Sequence, residues 1–514
     1  MKVVSGMNLK NNPIIYSDFP DIDILRVEDT YYMVSTTMHF MPGCSILKSY
    51  DLLNWELVSH VYEMLDNTPS QRLDEGNIYG QGMWAPSFRY HNGTFYLCFA
   101  ANDTKKTYLF TTTDITGEWK KSHIDGFYHD SSLLFDGDQV YLVYGNRDIH
   151  LLELNEDLSG PKEGGLSRIL ISDTISSGLA YEGAHLQKIN NKYYLFVINW
   201  PPTGTGRRKE WCFIADSLTD EFSGKCIIDD DLGFYNQGVA QGGVVDTPDG
   251  DWYMFMFQDR GAVGRVPILM PIRFVNDFPV IKGGHIPVAL SIDSTKPNYE
   301  YQPLVGSDDF THEEGEKLKP FWQFNHQPNN EFWSVTDKYG AFRITTDRVV
   351  KNLTQGINTL TQRTTGPVCS ASVILDASQI NEGDYAGLAA LQGSYAAIAV
   401  TKKDGKFELV MFNRPGDYEA VIGSVNDVDP PVVHETITID DPIITLKIAA
   451  DFTNLKDEVT FSYLKNNEYR NFGITHPLHY KLDHFVGCRF ALFAYSTKTI
   501  GGVADFLDFD YETC

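Results

Sequence analysis

Strand-like runs recur through the first 290 residues, each opened by a turn residue and by an aromatic or apolar residue that precedes a tyrosine. Asn92-Gly93 and Asp249-Gly250 are dipeptides that favour tight hairpin turns. Repeats of this length, made of short strands and polar turns, are typical of propeller blades. Tyrosine-rich strands also recur by chance in β-proteins, but five copies with shared turn chemistry favour five blades. The tyrosines are Tyr32, Tyr96, Tyr141, Tyr194 and Tyr253.

The pattern fades after residue 283, and a polar, proline-containing segment at 291–305 predicts a linker. Beyond it, short alternating strands continue to the end of the chain and predict an antiparallel β-sandwich. Helical periodicity is largely absent. The sequence therefore predicts an all-β protein, with a five-bladed β-propeller in residues 1–290 and a β-sandwich in residues 306–514.

The chain has 514 residues, 42% of them hydrophobic and 13% aromatic, which is enough to fill the cores of two or three domains. Its formal net charge of −26 argues against binding to nucleic acid or to anionic membranes, since both are bound through lysine and arginine. Most of the carboxylates serve solubility. A neutral sugar is unaffected by this charge, and aromatic rings suit both β-sheets and sugar faces.

The seven cysteines are scattered, odd in number and without a CxxC spacing, so neither a disulfide framework nor a zinc site is predicted. The first eight residues lack the apolar segment of a signal peptide, and no run approaches transmembrane length. We therefore expect a cytoplasmic protein that acts on small imported substrates. The sequence leaves open whether the chain forms a homo-oligomer.

Three carboxylates stand at similar distances before the blade tyrosines. Asp21 and Asp130 each lie eleven residues before their tyrosine, and Glu182 lies twelve before Tyr194. One end of a propeller channel collects residues from the innermost strand of every blade, so we expect the three to meet there. Singly, each is equally well explained as a turn or capping residue. Glu182, beside Gly183 where a strand begins, is our candidate for the proton donor of an enzyme that cuts sugar linkages.

Six short motifs punctuate the propeller region: PDIDILR at 20–26, MPG through DLLNW at 41–55, WAP at 84–86, HDSSL at 129–133, EGAHL at 182–186 and GAVGR at 261–265. In this order they resemble glycoside hydrolase family 43, the β-xylosidases and α-L-arabinofuranosidases built on a five-bladed propeller. The region after the propeller resembles the concanavalin-like jelly-roll sandwich of the xylosidase-type members. Each motif alone is weak evidence, whereas six in order across five repeats are strong.

The resemblance implies a separate role for each of the three carboxylates. Asp21 is the general base, Glu182 is the general acid, and Asp130 is the third carboxylate, which orients Glu182 and favours its protonated form. Inverting hydrolysis needs a water molecule between the base and the sugar, so its two catalytic carboxyl groups stand about 6.5–9.5 Å apart. We therefore expect a single displacement with inversion and no covalent intermediate.

Three further positions carry over from the resemblance as substrate contacts. Arg265 resembles the arginine that holds the hydroxyls of the terminal sugar, although a structural ion pair explains it equally well. Trp84 resembles the aromatic wall of the pocket, with a buried blade tryptophan as the alternative. Phe485 resembles the sandwich residue that reaches over the pocket, whereas a core phenylalanine is the commoner situation.

Two positions depart from the family pattern. Gln241 stands where many members carry a channel histidine that helps to hold a cation or water. Its side-chain oxygen suits calcium, so we expect that no cofactor is required and that a channel cation, where one binds, is calcium near Gln241. Met38 stands where xylosidase-type members usually carry phenylalanine, and the loss of that ring favours arabinofuranose over xylose.

The sequence therefore predicts an exo-acting, inverting α-L-arabinofuranosidase with β-xylosidase side activity, which releases terminal pentoses from short arabinoxylan-derived oligosaccharides. A β-1,4-xylosidase proper is the alternative within the enzyme class. A non-catalytic sugar-binding propeller is the alternative outside it, but such a protein has no need of all three carboxylates. Small oligosaccharides are the expected partners, whereas nucleic acid and membranes are not.

Overall fold

The computed structural model describes residues 9–201, 203–311, 318–336, 340–414, 421–425 and 429–513. The last cysteine, Cys514, lies outside the described residues. Strands dominate, and the short 3₁₀ turns that interrupt them are Gly261–Val263, Leu353–Gln355 and Thr453–Leu455. No helix among these residues is long and apolar enough to cross a membrane. The predicted all-β fold, a five-bladed propeller followed by a sandwich, is confirmed.

Five four-stranded antiparallel sheets form the propeller, and each repeat tyrosine lies in the second strand of its blade. The strands of blade 1 are Asp23–Val27, Thr30–Ser35, Gly43–Ser49 and Glu56–Tyr62; those of blade 2 are Met83–His91, Thr94–Ala101, Lys106–Thr112 and Lys120–Ile124; those of blade 3 are Ser132–Asp136, Gln139–Tyr144, Asp148–Glu153 and Ser167–Ser172; those of blade 4 are Glu182–Ile189, Lys192–Asn199, Lys209–Ala215 and Ser223–Ile228; and those of blade 5 are Ala240–Asp246, Trp252–Asp259, Arg265–Val275 and Phe278–Ile281.

The innermost strands of neighbouring blades contact one another around a central channel, including blade 5 against blade 1. The side chain of Arg26 in blade 1 pairs with Asp246 in blade 5. Leu9–Asn11 pairs with Ala289–Ser291, so a small sheet joins the two ends of the propeller region. Because each blade is built from consecutive strands, these contacts close the ring.

Two antiparallel sheets form the second domain. The first sheet contains, in spatial order, Val432–Ile439, Lys406–Asn413, Ala396–Lys403, Asp384–Leu391, Arg489–Ser496, Leu360–Arg363, Gln323–Asn325 and Phe40–Met41. The second contains Trp333–Thr336, Ala341–Thr345, Val503–Thr513, Val368–Gln379, Ile443–Asp451, Glu458–Lys465 and Glu468–Asn471, with His476–Pro477 paired to Glu458–Lys465. Phe40–Met41 comes from blade 1 of the propeller, so the two domains share a sheet.

The segment predicted as a linker packs against blade 1. The Thr295 amide donates to the Tyr50 carbonyl (2.8 Å), and the Tyr50 amide donates to the Tyr301 hydroxyl (2.9 Å). The Tyr299 hydroxyl donates to the Glu56 carboxylate. The connection between the domains is therefore held along its length and does not act as a free tether.

The interface between the domains is both apolar and polar. One apolar core continues from the propeller into the sandwich. Beside it, Gln323 Nε2 donates to the Pro42 carbonyl (2.6 Å) and Arg489 Nη1 donates to Gln323 Oε1 (2.9 Å). The Arg489 guanidinium also lies 3.5 Å from the centre of the Phe40 ring. Because large apolar interfaces restrict the relative motion of domains, the sandwich keeps a fixed position on the propeller.

Three buried histidines occupy the interface next to Phe40. His39, His326 and His484 are each at most 2% exposed, and the ring centre of His39 lies 4.9 Å from those of the other two. Burial lowers the pKa of all three, to about 3 for His326. All three are therefore neutral near pH 7, and their mutual contact costs no charge repulsion in that state.

We expect acid to weaken this interface, because unfolding lets the buried histidines take up protons. His326 has a lower pKa in the folded chain than in the unfolded chain, so its contribution to stability is lost as pH falls below about 6.5. His326→Gln keeps an acceptor for the Ile78 amide (3.0 Å) and cannot be protonated. Between about pH 6 and 4, the free energy of unfolding of the parent should fall more steeply than that of the variant, by about 1.4 kcal/mol per pH unit.

Urea unfolding at several pH values measures both slopes. His285→Gln, at an exposed histidine, serves as the matched control and should keep the slope of the parent. Equal slopes for the parent and His326→Gln would contradict the prediction.

Candidate active site

The same backbone conformation recurs at the channel end of all five blades. In each blade, the residue two positions before the regular pairing of the innermost strand has a positive φ, between 34° and 65°. Blades 2, 4 and 5 carry a β-bulge at this point. These residues line a cavity at one end of the channel. They are Asp21, Ala85, Asp130, Gly183 and Gln241.

Glu182 lies one residue before the position that Gly183 occupies. The equivalent placement predicted for the three carboxylates therefore holds for the two aspartates only, and the offset of twelve residues instead of eleven reflects this difference. A Cβ at Gly183 would lie 2.8 Å from the Gln241 side chain, and φ is +63°, so the position needs glycine. Glu182 is thus equivalent to His129 of blade 3 and Trp84 of blade 2. In blade 4 the cavity lining consists of Gly183, Ala184 and His185, which directly follow Glu182.

Asp21 lies on one wall of the cavity and is 6% exposed. Its Oδ1 accepts a hydrogen bond from Arg265 Nη1 (2.7 Å). Burial raises the pKa of the Asp21 carboxyl, the Arg265 guanidinium opposes this shift, and the carboxylate of Asp130 adds to it. Burial alone would lower the pKa of Arg265, but Asp21 raises it. The two side chains form a buried ion pair, in which Asp21 is a stronger proton acceptor than an ordinary aspartate.

Asp130 lies at the equivalent position of blade 3 and is tied to both of its neighbours. Its Oδ2 accepts from the Gly183 amide (3.1 Å) and lies 3.5 Å from His129 Nε2. Burial raises the pKa of Asp130, His129 lowers it, and Glu182 raises it further. Because the Gly183 amide directly follows Glu182 in the chain, Asp130 fixes the backbone from which Glu182 projects.

The carboxylate of Glu182 is held on one side by two nitrogen donors. Asn146 Nδ2 donates to Glu182 Oε2, and His129 Nε2 lies 3.8 Å from the same oxygen. Neither contact involves the other oxygen, Oε1. The Glu182 side chain is 16% exposed, so it can reach a bound substrate and is still shielded from bulk water.

His129 joins the two acidic groups electrostatically. The Asp130 carboxylate raises its pKa, burial opposes this, and the contact with Glu182 raises it again, to about 9. The imidazole is therefore protonated near pH 7 and places a positive charge between Asp130 and Glu182. Sequence reasoning does not single out His129 or Asn146. The adjacency of His129 to Asp130 is a signal that could have found it, whereas Asn146 carries no local signal.

Arg265, Trp84 and Phe485 come together at the cavity, as the sequence predicts. The Arg265 guanidinium lies 4.6 Å from the centre of the Phe485 ring, which packs edge-on against the Trp84 indole at 5.6 Å. Among the described residues, Arg265 Nε and Nη2 and Trp84 Nε1 have no hydrogen-bond partner. Met38 is 2% exposed and packs with Phe40, Val486 and these two rings. It therefore supports the wall from behind.

The sandwich holds this wall in place through Asp18. Asp18 Oδ1 accepts from the Arg265 amide (2.7 Å), and Asp18 Oδ2 accepts from the Gly487 amide (2.9 Å), two residues after Phe485. The Cys488 amide donates to the carbonyl of Ala262 (2.8 Å), in the turn that leads to Arg265. The arginine of the propeller and the phenylalanine of the sandwich are thus fixed to the same carboxylate.

The floor of the cavity is a paired polar network. Asp23 Oδ2 accepts from Arg89 Nη1 (2.6 Å) and from the Phe88 amide (2.8 Å), and its Oδ1 lies 3.6 Å from His185 Nδ1. The backbone amide of Gln241 donates to the carboxylate of Glu210 (2.8 Å). Calcium takes six to eight oxygen ligands, and the nearest channel carboxylate already has cationic and amide partners. The described floor therefore fits calcium poorly, and the predicted ion near Gln241 stays a prediction.

One group of described side chains is close enough to share a metal ion. The ligand atoms of His129, Asp130 and Glu182 all lie within 4.8 Å of one another. The same three groups already interact with one another, because the protonated imidazole of His129 lies close to both carboxylates. These ionic contacts account for their arrangement.

Two family models match this chain. That of Glycosyl hydrolases family 43 matches residues 10–279. That of the β-xylosidase C-terminal concanavalin A-like domain matches residues 307–512. The first covers the propeller with every residue of the cavity described above except Phe485, and the second covers the sandwich that supplies this phenylalanine.

Similar proteins carry both xylosidase and arabinofuranosidase names. A β-xylosidase from Formosa agariphila is 25% identical over 98% of this chain and 90% of its own length. A non-reducing end α-L-arabinofuranosidase from Bacteroides ovatus is 26% identical over 65% of this chain and 64% of its own. A solved structure of a bifunctional GH43-CE protein from Bacteroides eggerthii is 41% identical, with a TM-score of 0.89 over 99% of this chain. This chain spans 64% of that protein.

We expect Asp130→Asn to lower the pKa of His129, because the Asp130 carboxylate is the largest cause of the raised value. The pKa should fall from about 9 towards the ordinary value near 6.5. NMR titration of labelled histidine measures it. Asp136→Asn is the matched control. It removes another carboxylate of blade 3, one that pairs with Lys188 of blade 4 (2.5 Å), and should leave the pKa of His129 unchanged. An unchanged His129 in Asp130→Asn would contradict the assigned contact.

Proposed function

This chain belongs to glycosyl hydrolases family 43, and from that premise we propose that it is an exo-acting, inverting glycosidase that releases terminal L-arabinofuranose from short arabinoxylan-derived oligosaccharides. The observation that supports the proposal is a cluster of three carboxyl groups: Asp21 and Asp130 line one cavity, and Glu182 lies directly before Gly183, whose amide donates to Asp130. That cavity is bounded by an arginine with uncommitted donors and by two aromatic rings.

In the proposed reaction, Asp21 acts on water. Its carboxylate accepts a proton from a water molecule while the water oxygen attacks the anomeric carbon from the face opposite the leaving group. Burial makes Asp21 a better proton acceptor, and the ion pair with Arg265 keeps it charged in the empty pocket. A single displacement of this kind inverts the anomeric configuration, and it requires a gap of about 6.5–9.5 Å between base and acid.

Glu182 acts on the leaving group. It transfers a proton to the glycosidic oxygen as the bond to the anomeric carbon breaks, so that the leaving sugar departs as a neutral alcohol. Asn146 and His129 occupy Oε2, which leaves Oε1 to carry the proton towards the substrate. Once the proton is gone, the imidazolium of His129 stabilises the new carboxylate. Solvent then returns the proton from Asp21 to Glu182.

The exo mode of action follows from the closed wall of the cavity. Phe485 of the sandwich and Trp84 of blade 2 meet over Arg265, so the terminal sugar is enclosed on that side. The free N–H groups of Arg265 are placed to donate to hydroxyls of a chain end. A polysaccharide threaded through the site would have to displace these rings.

The choice of pentose rests on a finer argument. Met38 supports Trp84 and Phe485 from behind, and a flexible thioether in place of a ring lets the wall adapt to a furanose. A β-1,4-xylosidase is the second candidate, since the Formosa agariphila relative that aligns with 98% of this chain is named a β-xylosidase. A non-catalytic sugar-binding propeller is the third reading, and it makes no use of the acid and base geometry.

We expect 4-nitrophenyl α-L-arabinofuranoside to be hydrolysed faster than the β-D-xyloside, and the first sugar released to be the anomer opposite to that of the substrate. Proton NMR at early times gives both the rates and the anomer in one experiment. Faster xyloside cleavage would favour the second candidate, retention of configuration would overturn the inverting mechanism, and no release from either substrate would favour the sugar-binding reading.

We expect Glu182→Ala to lower kcat by about 10²–10⁴-fold on 4-nitrophenyl pentosides, the usual contribution of a general acid. The loss should be much smaller with a 2,4-dinitrophenyl leaving group, because that phenol departs without protonation. Steady-state kinetics on both substrates measure the difference. Glu163→Ala, at an exposed glutamate of blade 3, is the matched control and should keep parental rates. A loss that does not depend on the leaving group would contradict the acid role.

A further inference from the structure

An exposed tryptophan lies in blade 4 at the end that carries Glu182. Trp200 is 41% exposed, and among the described residues it is the one tryptophan with more than a third of its surface in solvent. It follows directly after the strand Lys192–Asn199 and opens the long connection to Lys209–Ala215. A large ring left in solvent beside a cavity is a candidate platform for ligand binding.

The strand register places Trp200 beside Glu182. Glu182 pairs with Ile198 across blade 4, and Trp200 lies two residues further along, about 7 Å at the usual rise of a strand. The Trp200 amide donates to the Leu179 carbonyl (2.8 Å), three residues before Glu182. The tryptophan is therefore fixed to the same segment that carries the glutamate.

Arg208 continues this surface towards Arg265. Its guanidinium lies 5.8 Å from the Trp200 ring centre, and its Nη1 donates to Asp259 Oδ2 (2.7 Å). Asp259 pairs across blade 5 with Arg265. The two guanidinium groups lie 5.6 and 5.2 Å from the ring of Phe257, which they share. These contacts link the tryptophan of blade 4 to the arginine of the cavity wall through Arg208 and Phe257.

The Arg208 side chain also has an N–H group without a hydrogen-bond partner among the described residues. That group is Nε, and the side chain is 17% exposed. A planar guanidinium stacked near an indole can present N–H groups to a ligand that lies on the ring. The pair therefore offers an apolar face and hydrogen-bond donors side by side, which is the combination that a sugar ring with its hydroxyls requires.

We propose that Trp200 and Arg208 form a binding site for the neutral sugar unit on the leaving-group side of the scissile bond. This inference rests on the proposed function. Glu182 protonates the leaving oxygen, so the leaving unit must pass on the side of Glu182, whereas Asp21 holds water on the opposite face. Trp200 and Glu182 are on the same blade and at the same end of it. The class of ligand is the pyranose unit of an oligosaccharide backbone.

The test measures binding in a Glu182→Gln background, where the oligosaccharide survives. Isothermal titration calorimetry compares a xylotriose that carries one terminal arabinofuranose with free arabinose. Trp200→Ala should weaken binding of the oligosaccharide about tenfold, the usual scale of a lost aromatic contact, and leave the affinity for free arabinose within twofold. Trp200→Phe should retain most of the affinity.

Tyr469→Ala is the matched control, because Tyr469 is a 45% exposed ring under a cation, Lys447 Nζ at 5.2 Å, on the sandwich. It should leave every affinity unchanged. Thermal melting checks that each variant is folded, and Arg208→Lys, which keeps the charge but loses the planar donor set, gives a second reading and should weaken only the oligosaccharide.

Three results would overturn the proposal: unchanged oligosaccharide affinity in folded Trp200→Ala and Arg208→Lys, equal weakening of free arabinose binding, or no oligosaccharide binding to the Glu182→Gln protein at all. Failure of the proposed function looks different. In that case the Trp200-dependent binding persists while the parent protein hydrolyses neither pentoside.

Discussion

The buried carboxylate of Asp18 holds together the cavity wall to which Arg265 and Phe485 belong. One oxygen accepts from the backbone of Arg265 in the propeller, and the other accepts from the backbone of Gly487 in the sandwich. Burial raises the pKa of Asp18, while Arg265 and these two amides favour its charged form. Because a buried charge is tolerated only when it is fully paired, neither domain can move away from Asp18 without leaving it unsatisfied.

Chemical diversity at the site comes from one repeated backbone conformation. Every blade turns into the channel through a residue with positive φ, and the side chain at that residue differs from blade to blade. Two blades place an aspartate there, and one places a glycine whose missing side chain makes room for Gln241. In that blade, Glu182 lies one residue before the position of positive φ. Two adjacent positions of the same repeated turn therefore supply the three carboxyl groups.

Much of the fold could be predicted from the sequence, because strand patterns and turn residues act locally. The five repeat tyrosines mark the second strands of the five blades, and Asp21 and Asp130 line one cavity, with Glu182 directly before Gly183 of the same lining. The pairing of Phe40–Met41 with the sandwich strand Gln323–Asn325 could not be predicted, because the two strands lie far apart along the chain. His129 and Asn146 were missed for the same reason: their contacts with Glu182 form only when blades 3 and 4 pack together.

The sequence by itself determined the all-β class, the number of blades and the order of the two domains. It also predicted that Asp21, Asp130 and Glu182 lie close together. These features follow from hydrophobic alternation, turn chemistry and short motifs, each contained within a few residues. Only the tertiary structure decided the pairing of Arg265 with Asp21, the reach of Phe485 over the propeller and the position of Trp200 beside Glu182. Those contacts depend on ring closure and domain docking, which join residues that the chain itself keeps far apart.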